Sequence, residues 1–206
     1  MKQRISCFFK RRPALSFSGT TFLFIVIEGL FSFCSRTTCP AFADATFDQW
    51  FPYKAGQTVY FTSTTNRKDT LTINFNDRSG EHEIYGRPDR CDSWASVSSL
   101  FTPAALRFDV YLNKYTTGNA LSVTLNDFRL TNAALDEQQI TTTDSTVSSR
   151  LLTNFVINGK TFPQVVQLQR DTIAIKTEGI YKIWLSKGTG LAGYESYPAH
   201  EQWVKD

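Results

Sequence analysis

The chain has little of what most catalytic and metal sites are built from. Its 206 residues include two histidines, four cysteines and one methionine. It has no run of 18 apolar residues, so the sequence predicts no ordinary membrane-spanning helix. Lys and Arg number 22 against 19 acidic residues, and a net charge of +3 is small for a domain that neutralises nucleic-acid phosphates. We therefore expect no nucleic-acid partner.

What the chain does have is the composition of a globular protein. Hydrophobic residues make up 41% of the sequence and charged residues 20%, a balance that supports a packed core. Aromatic residues are numerous, with 17 Phe, 8 Tyr and 4 Trp. These rings either fill the core or line a cavity for an apolar ligand, and the sequence leaves both open.

The first 43 residues have the pattern of an export signal. A leader with five basic residues precedes residues 21–33, a mostly apolar stretch of signal-peptide length that is too short to span a bilayer. We expect residues 1–43 to be a signal peptide and short leader, and the protein to reside in the periplasm or at the outer membrane. The basic residues of the leader are Lys2, Arg4, Lys10, Arg11 and Arg12.

The cleavage site has three candidates. Ala41-Phe42-Ala43 before Asp44 fits the small-x-small pattern of a soluble product. Cys34 and Cys39 instead suggest a bacterial lipoprotein, in which such a cysteine is lipid-modified, although the residue before each is not small. Both cysteines are therefore candidates for lipidation and for an N-terminal membrane anchor.

The remaining cysteine chemistry depends on that site. Processing at Asp44 or Cys39 leaves Cys91 without a partner, whereas lipidation of Cys34 permits a Cys39–Cys91 disulfide. A lone thiol in an oxidising compartment is expected to be buried rather than reactive. No pair of cysteines has the spacing of a zinc site, so we predict no metal and no cofactor.

Residues 44–206 are predicted to be one all-β domain. They carry 16 basic and 18 acidic residues, a net charge of −2, and no Pro, Gly or Ser linker divides them. Alternation of apolar and polar residues predicts strands, and Asn158-Gly159 predicts a tight hairpin. Residues 173–175 are predicted to be a short strand and residues 133–139 the one helix. The alternating segments are 59–62, 70–75, 106–113, 121–125, 152–157, 160–168, 180–185, 191–194 and 202–205.

The fold class that follows is a single antiparallel curved sheet with at most one short helix. About ten strands must protect their edges, which a half-barrel, a barrel or a sandwich would do. The aromatic cluster in residues 47–53 is expected to anchor the first strand in the core.

One motif resembles a dinucleotide fingerprint. Residues 188–193, GTGLAG, match G-x-G-x-x-G, but no helix and no second parallel strand can follow in the 13 remaining residues. We interpret these glycines as a turn or bulge that needs positive φ or a close backbone approach.

Catalytic residues are sparse. His82 lies in Glu81-His82-Glu83 and His200 near the end of the chain, and neither has metal-ligand spacing. An enzyme would need His82, Cys91 or His200 to converge with a carboxylate in a cleft. Residues 89–94, around Cys91, are interpreted as a polar connection, and we predict no catalytic residue and no enzyme activity.

Four segments of the chain carry a resemblance. They are FDQWFPYKAGQTVYF (47–61), VINGKTFPQVVQL (156–168), IYKIWLSKGTGLAGYE (180–195) and EQWVK (201–205). Together they resemble small uncharacterised cell-envelope lipoproteins of the Bacteroidetes type, which implies export, usually a lipid anchor, and no known activity. A looser architectural similarity is to periplasmic half-barrel lipoprotein carriers.

Two functions follow as hypotheses. The first is a non-enzymatic envelope protein that binds a lipid or other apolar ligand on its curved sheet. The second is a structural or adhesive surface module that acts through protein contacts at its surface or sheet edge. The sequence identifies neither the ligand-binding residues nor the oligomeric state.

Overall fold

The computed structural model describes residues 44–84, 87–100, 102, 105–115, 118–175 and 178–206, with the side chains of 80–84, 87–92 and 174 excepted. These residues form one compact unit. Among them, no helix is long and apolar enough to cross a membrane.

A single short α-helix, α1 (Ala45–Trp50), opens the described chain. Asp44 caps it, since its carboxylate accepts hydrogen bonds from the backbone N–H groups of Thr46 at 2.9 Å and Phe47 at 3.1 Å. The helix ends at Trp50 because Pro52 disfavours helical backbone at the residue before it. Its aromatic side chains point into the core.

Twelve strands follow in one antiparallel sheet, in the order β7-β6-β5-β4-β3-β2-β1-β12-β11-β10-β9-β8. A 3-10 helix (Thr172–Ala174) lies between β9 and β10. The strands are β1 (Thr58–Ser63), β2 (Lys68–Ile84), β3 (Arg87–Ser99), β4 (Phe108–Tyr115), β5 (Gly118–Leu125), β6 (Phe128–Leu135), β7 (Ile140–Thr141), β8 (Val147–Ile157), β9 (Lys160–Arg170), β10 (Gly179–Ser186), β11 (Gly190–Tyr197) and β12 (Gln202–Lys205).

The sheet is nearly closed into a barrel, which confirms the predicted all-β class with a curved antiparallel sheet. Side chains bridge the two edges where strand pairing stops. The hydroxyl of Ser149 in β8 donates to the carbonyl oxygen of Ile140 in β7. Near β6, the carboxylate of Asp127 accepts from the backbone N–H of Ile180 at 3.0 Å and pairs with Arg170. Closure of this kind protects the edges from pairing with other chains.

The barrel interior is filled by side chains. Alternate residues of β1 to β6 and β9 to β12 point inward and join the aromatic residues of α1 in one buried cluster. Phe47, Trp50 and Phe51 are 0% exposed, as are Leu71 and Phe108. The aromatic residues of 47–53 therefore anchor the start of the domain in the core, as predicted, although they do so from a helix.

A second apolar cluster covers the outer face of β10 to β12. Ile183 and Leu185 belong to the inner cluster, whereas Trp184, which lies between them in the strand, belongs to the outer one and points away from the barrel interior. The tip of the β8–β9 hairpin folds over it, with the rings of Phe155 and Trp184 5.6 Å apart. This part of the sheet is consequently buried on both faces.

The register gives the barrel two distinct ends. At the helix end, α1 is joined to the turn after β6 by the indole N–H of Trp50, which donates to the carbonyl oxygen of Asp136 at 3.1 Å. It is joined to the β10–β11 turn by the N–H of Gly188, which donates to the carbonyl oxygen of Gln49 at 2.7 Å. The opposite end carries the β1–β2, β5–β6, β9–β10 and β11–β12 connections.

The glycine and asparagine turns behave as the sequence predicts. Asn158 and Gly159 have φ values of 44° and 78°, the conformation of a tight hairpin between β8 and β9. Gly188 and Gly190 have φ values of 72° and 79° in the β10–β11 turn. At Gly193, a Cβ atom would collide with the carbonyl oxygen of Trp203. The interpretation of the GTGLAG segment as a turn with a close backbone approach is confirmed.

Three local predictions are wrong. Residues 133–139 are not helical: residues 133–135 belong to β6, where Ala133 and Leu135 are buried in the sheet, and a turn follows. The predicted strand around Ile173 is a 3-10 helix, capped by the carboxylate of Asp171. Residues 89–94 are not a simple connection, because their backbone belongs to β3 and pairs with β2.

Candidate functional site

A group of titratable side chains lies at the opposite end, around Glu195. Glu195 is the one charged residue of β11, and its side chain is nevertheless buried, with 5% exposed. Strand register sets it between Lys182 of β10 and Gln202 of β12 in one cross-strand row. We call Tyr181, Lys182, Glu195, His200 and Gln202 the Glu195 cluster.

Three donors from the two neighbouring strands converge on the buried carboxylate. Lys182 Nζ donates to Glu195 Oε2 at 3.0 Å, and Gln202 Nε2 donates to the same oxygen at 3.3 Å. The hydroxyl of Tyr181 donates to Glu195 Oε1. The carboxylate is therefore paired and hydrogen-bonded on both oxygens, which is the condition for burying a charge without a large cost.

These contacts shift two pKa values in opposite directions. Burial acts to raise the pKa of Glu195, but the hydrogen bonds from Tyr181 and Lys182 and the charge of Lys182 outweigh it and hold that pKa below its usual value. Burial, together with the hydrogen bond to Glu195 and its negative charge, raises the pKa of Tyr181. At neutral pH the cluster therefore holds an ionised carboxylate and a protonated phenol.

His200 joins the cluster from the β11–β12 connection. Its Nδ1 lies 2.9 Å from the hydroxyl oxygen of Tyr181 and 3.2 Å from Glu195 Oε1, while its side chain is 59% exposed. The imidazole also packs edge-on against the rings of Tyr181 and Tyr197, at centroid distances of 5.5 and 5.7 Å. Of the sequence candidates, His200 is the one whose side chain the structure describes, and it lies beside a carboxylate.

The same connection contains a second buried acid. Glu201 is 6% exposed and pairs with Arg67 of the β1–β2 turn. The guanidinium of Arg67 also lies over the ring of Trp203, 5.3 Å from its centroid. Two buried carboxylates therefore fix the β11–β12 connection to its neighbours.

The chemistry available to the Glu195 cluster is limited by its internal bonds. A general base needs a lone pair that faces a substrate, and a general acid needs a proton free to leave. Both oxygens of Glu195 already accept hydrogen bonds, and the proton of Tyr181 is directed at Glu195. The arrangement is a hydrogen-bonded polar network that joins three strands. Its most exposed titratable group is the His200 ring.

A shallow depression lies at the helix end. It has a volume of about 500 Å³ and is lined by residues that include Lys160, Phe162, Thr189 and Lys205. The ammonium groups of both lysines donate to backbone carbonyl oxygens, at 2.6 Å in each case. Burial also lowers the pKa of Lys205. The depression is open and has a mixed polar and apolar lining, unlike an enclosed apolar pocket.

The side chains of the other sequence candidates lie outside the described part of the chain. The backbones of His82 and Cys91 lie in the β2–β3 hairpin, opposite Asp92 and Glu83, and their side chains are outside the described set. Cys34 and Cys39 also lie outside the described residues. In the part of the chain that the structure describes, no three His, Cys, Asp or Glu side chains are grouped to hold a metal ion.

Sequence reasoning missed Tyr181, Lys182, Glu195 and Gln202. One signal was present: a single acidic residue stands in the otherwise uncharged strand LAGYESY. A charge in a strand whose pattern indicates burial needs partners on the neighbouring strands.

No family model, no curated protein and no solved structure was found to match this chain.

Proposed function

We propose that the protein is an exported cell-envelope protein without catalysis that acts as a surface module, through contacts on the outside of its barrel. The filled barrel interior carries this proposal. Phe47, Trp50 and Phe51 of the α1 region are 0% exposed within the core, so a ligand on the concave face would have to displace them. The outer face, by contrast, presents aromatic rings to solvent, with Tyr60 54% and Phe75 53% exposed.

The saturated Glu195 cluster supports a non-catalytic role. Its carboxylate, phenol and ammonium groups bond to one another, and their arrangement stabilises the strand row of Lys182, Glu195 and Gln202. A catalytic group would instead keep hydrogen-bonding capacity directed at a substrate.

The position of Asp44 indicates which end of the barrel an N-terminal lipid anchor would hold near the membrane. Asp44 caps α1 and pairs with Lys114 at 2.9 Å, so the chain enters the barrel at its helix end. A lipid on Cys34 or Cys39 would lie ten or five residues before this point and would hold the helix end near the membrane. The opposite end, with the Glu195 cluster, would then face away from it.

Export is tested by mass spectrometry of the N-terminus of the protein purified from its host. We expect a chain that begins at Asp44, or at Cys34 or Cys39 with added acyl chains. Recovery of the chain with its leader intact from the cell interior would contradict export.

The surface role is tested against the alternative of an apolar ligand on the curved sheet. We expect native mass spectrometry of the purified protein to detect no bound lipid. We also expect an apolar fluorescent probe not to bind inside the barrel. The labelled protein should bind saturably to envelope fragments of its host, and a Phe75→Glu, Tyr60→Glu variant should lose that binding. A lipid bound at one equivalent would overturn the proposal in favour of the ligand carrier.

A further inference from the structure

Two lysines, Lys160 and Lys205, line the depression at the helix end. In the described chain their ammonium groups contact backbone carbonyl oxygens rather than carboxylates. Lys205 Nζ donates to Thr189 and Lys160 Nζ donates to Lys205, both at 2.6 Å. Lys205 is half-buried, and its Nζ lies 5.6 Å from the ring centroid of Tyr53. An ammonium group has three N–H donors, so these contacts leave donors on both lysines for a ligand.

The surroundings of Lys205 are unfavourable for an unpaired positive charge. Burial lowers the pKa of its ammonium group, because protein atoms replace water around the charge. A charge that is withdrawn from water is normally paired with an opposite one. An anion bound in the depression would supply this pairing and would favour the charged form of Lys205.

The described charges at the depression have a positive sum. Asp206 is the acidic residue of the lining, and its carboxylate pairs with Lys68 at 3.1 Å and accepts from the hydroxyl of Thr62. The charge of Lys160 also acts on this carboxylate and contributes to its lowered pKa. Lys68, Lys160 and Lys205 together outnumber Asp206, and a terminal carboxylate on Asp206 would still leave the sum positive. The depression therefore favours an anionic ligand.

The other lining residues fit a phosphate group on an organic molecule. The hydroxyls of Thr161 and Thr189 can donate to ligand oxygens, and Phe162 provides an apolar surface. A volume of about 500 Å³ is typical of small-molecule sites and exceeds what an inorganic ion fills. A phosphate group has more acceptor oxygens than a carboxylate, so it can bond to several of these donors at once.

We propose that this depression binds a phosphate group, carried either by a small phosphorylated molecule or by a lipid headgroup. Lys205 and Lys160 bond to the phosphate oxygens, and the threonine hydroxyls add further hydrogen bonds. The inference goes beyond the proposed function, because a ligand in the depression requires neither export nor a surface partner.

The test is calorimetric titration of the purified protein with glycerol phosphate at constant ionic strength. We expect binding, and we expect Lys205→Met and Lys160→Gln each to weaken the affinity by about fivefold or more. Lys54→Gln is the matched control. It removes an exposed lysine between α1 and β1 that does not line the depression, and it should leave the affinity unchanged.

A second titration, with phosphatidylglycerol vesicles, distinguishes the two sources of phosphate. Vesicle binding that needs Lys205 and is displaced by glycerol phosphate would identify a lipid headgroup. Binding of glycerol phosphate without binding to vesicles would identify a soluble ligand. Lys160 is exposed, so Lys160→Gln tests the site without a change in the core, and circular dichroism checks the fold of Lys205→Met.

Four results would overturn the inference. The first is no binding of glycerol phosphate up to about 10 mM, a concentration at which even weak complexes form. The second is binding that both Lys205→Met and Lys160→Gln leave intact. The third is an equal loss of affinity in Lys54→Gln, which would assign the binding to the overall charge of this end. The fourth is binding of acetate as tight as that of glycerol phosphate, since the site would then not select phosphate.

Discussion

The hydroxyl oxygen of Tyr53 accepts a hydrogen bond from the backbone N–H of Leu191 at 2.6 Å inside the barrel. Tyr53 follows α1 and Leu191 begins the inward row of β11, so this contact joins the start of the domain to its last third. Tyr53 is 3% exposed and packs edge-on against Phe108 at 5.8 Å. Burial raises the pKa of its phenol. The hydroxyl therefore remains a neutral structural group.

We expect Tyr53→Phe to lower the free energy of unfolding by about 1–3 kcal/mol, because it leaves a buried N–H of Leu191 without an acceptor. Urea denaturation followed by circular dichroism measures the effect. Tyr60→Phe, at an exposed position, is the control and should change stability little. Equal effects of the two substitutions would contradict the role given to Tyr53.

Gly190 and Gly188 offer a second matched pair. Both have positive φ, so alanine at either site costs about 1–2 kcal/mol of backbone strain. At Gly190 a Cβ would also collide with the ring of Tyr53, whereas at Gly188 it meets open space. We expect Gly190→Ala to be more destabilising than Gly188→Ala by about 1–3 kcal/mol in thermal unfolding. Equal melting temperatures of the two variants would contradict the close contact between Gly190 and the ring of Tyr53.

Much of the sheet could be predicted from sequence, for a physical reason. Where one face of a strand is buried, apolar and polar residues alternate, and the Asn158-Gly159 pair marks a hairpin by its positive φ values. The failure at residues 133–139 has a cause too. Ala, Leu and Glu favour helices, but burial of Ala133 and Leu135 against β5 and β7 outweighs that preference.

The Glu195 cluster could not be predicted in the same way. Its members come from β10, β11, β12 and the connection before β12, and they meet only through strand register. A sequence pattern gives the face of a strand but not its partner. The helix α1 was more accessible, because Asp44 is a good N-cap and Phe47, Trp50 and Phe51 are spaced at three and four residues.

A third prediction concerns Glu195 and pH. A carboxylate whose pKa is lowered on folding stabilises the protein above its unfolded pKa, and that stabilisation is lost as the pH falls through the folded value. We expect Glu195→Gln to lower stability at pH 7 by about 1–3 kcal/mol. The difference from the native protein should shrink as the pH drops below 4.5, the ordinary value for this group. Urea denaturation at pH 7 and pH 3 measures it.

The control for this prediction is Glu178→Gln, which changes an exposed glutamate near the same end of the barrel. It should leave stability within about 0.5 kcal/mol of the native protein at both pH values. A Glu195→Gln effect that grew toward acid pH would reverse the assigned direction of the pKa shift.

A fourth prediction separates the two roles of Asp44. Asp44→Ala removes both the helix cap and the ion pair with Lys114, and we expect it to cost about 0.5–2 kcal/mol. Asp44→Asn keeps a capping oxygen and should recover most of that loss. Melting temperatures of the two variants at equal ionic strength provide the comparison. Asparagine as damaging as alanine would assign the stability to the ion pair instead.

The pairing of β1 with β12 sets the order in which the molecule can assemble. β1 to β7 and β8 to β12 are two meanders of neighbouring strands, and in the described sheet the β1–β12 ladder pairs one meander with the other. Thr62 and Asp206, which bond across it, are 144 positions apart. The β1–β12 pair can therefore form only when nearly the whole polypeptide is available, and pairings between such distant segments form slowly. We therefore expect refolding of this chain to be slow for a domain of its size.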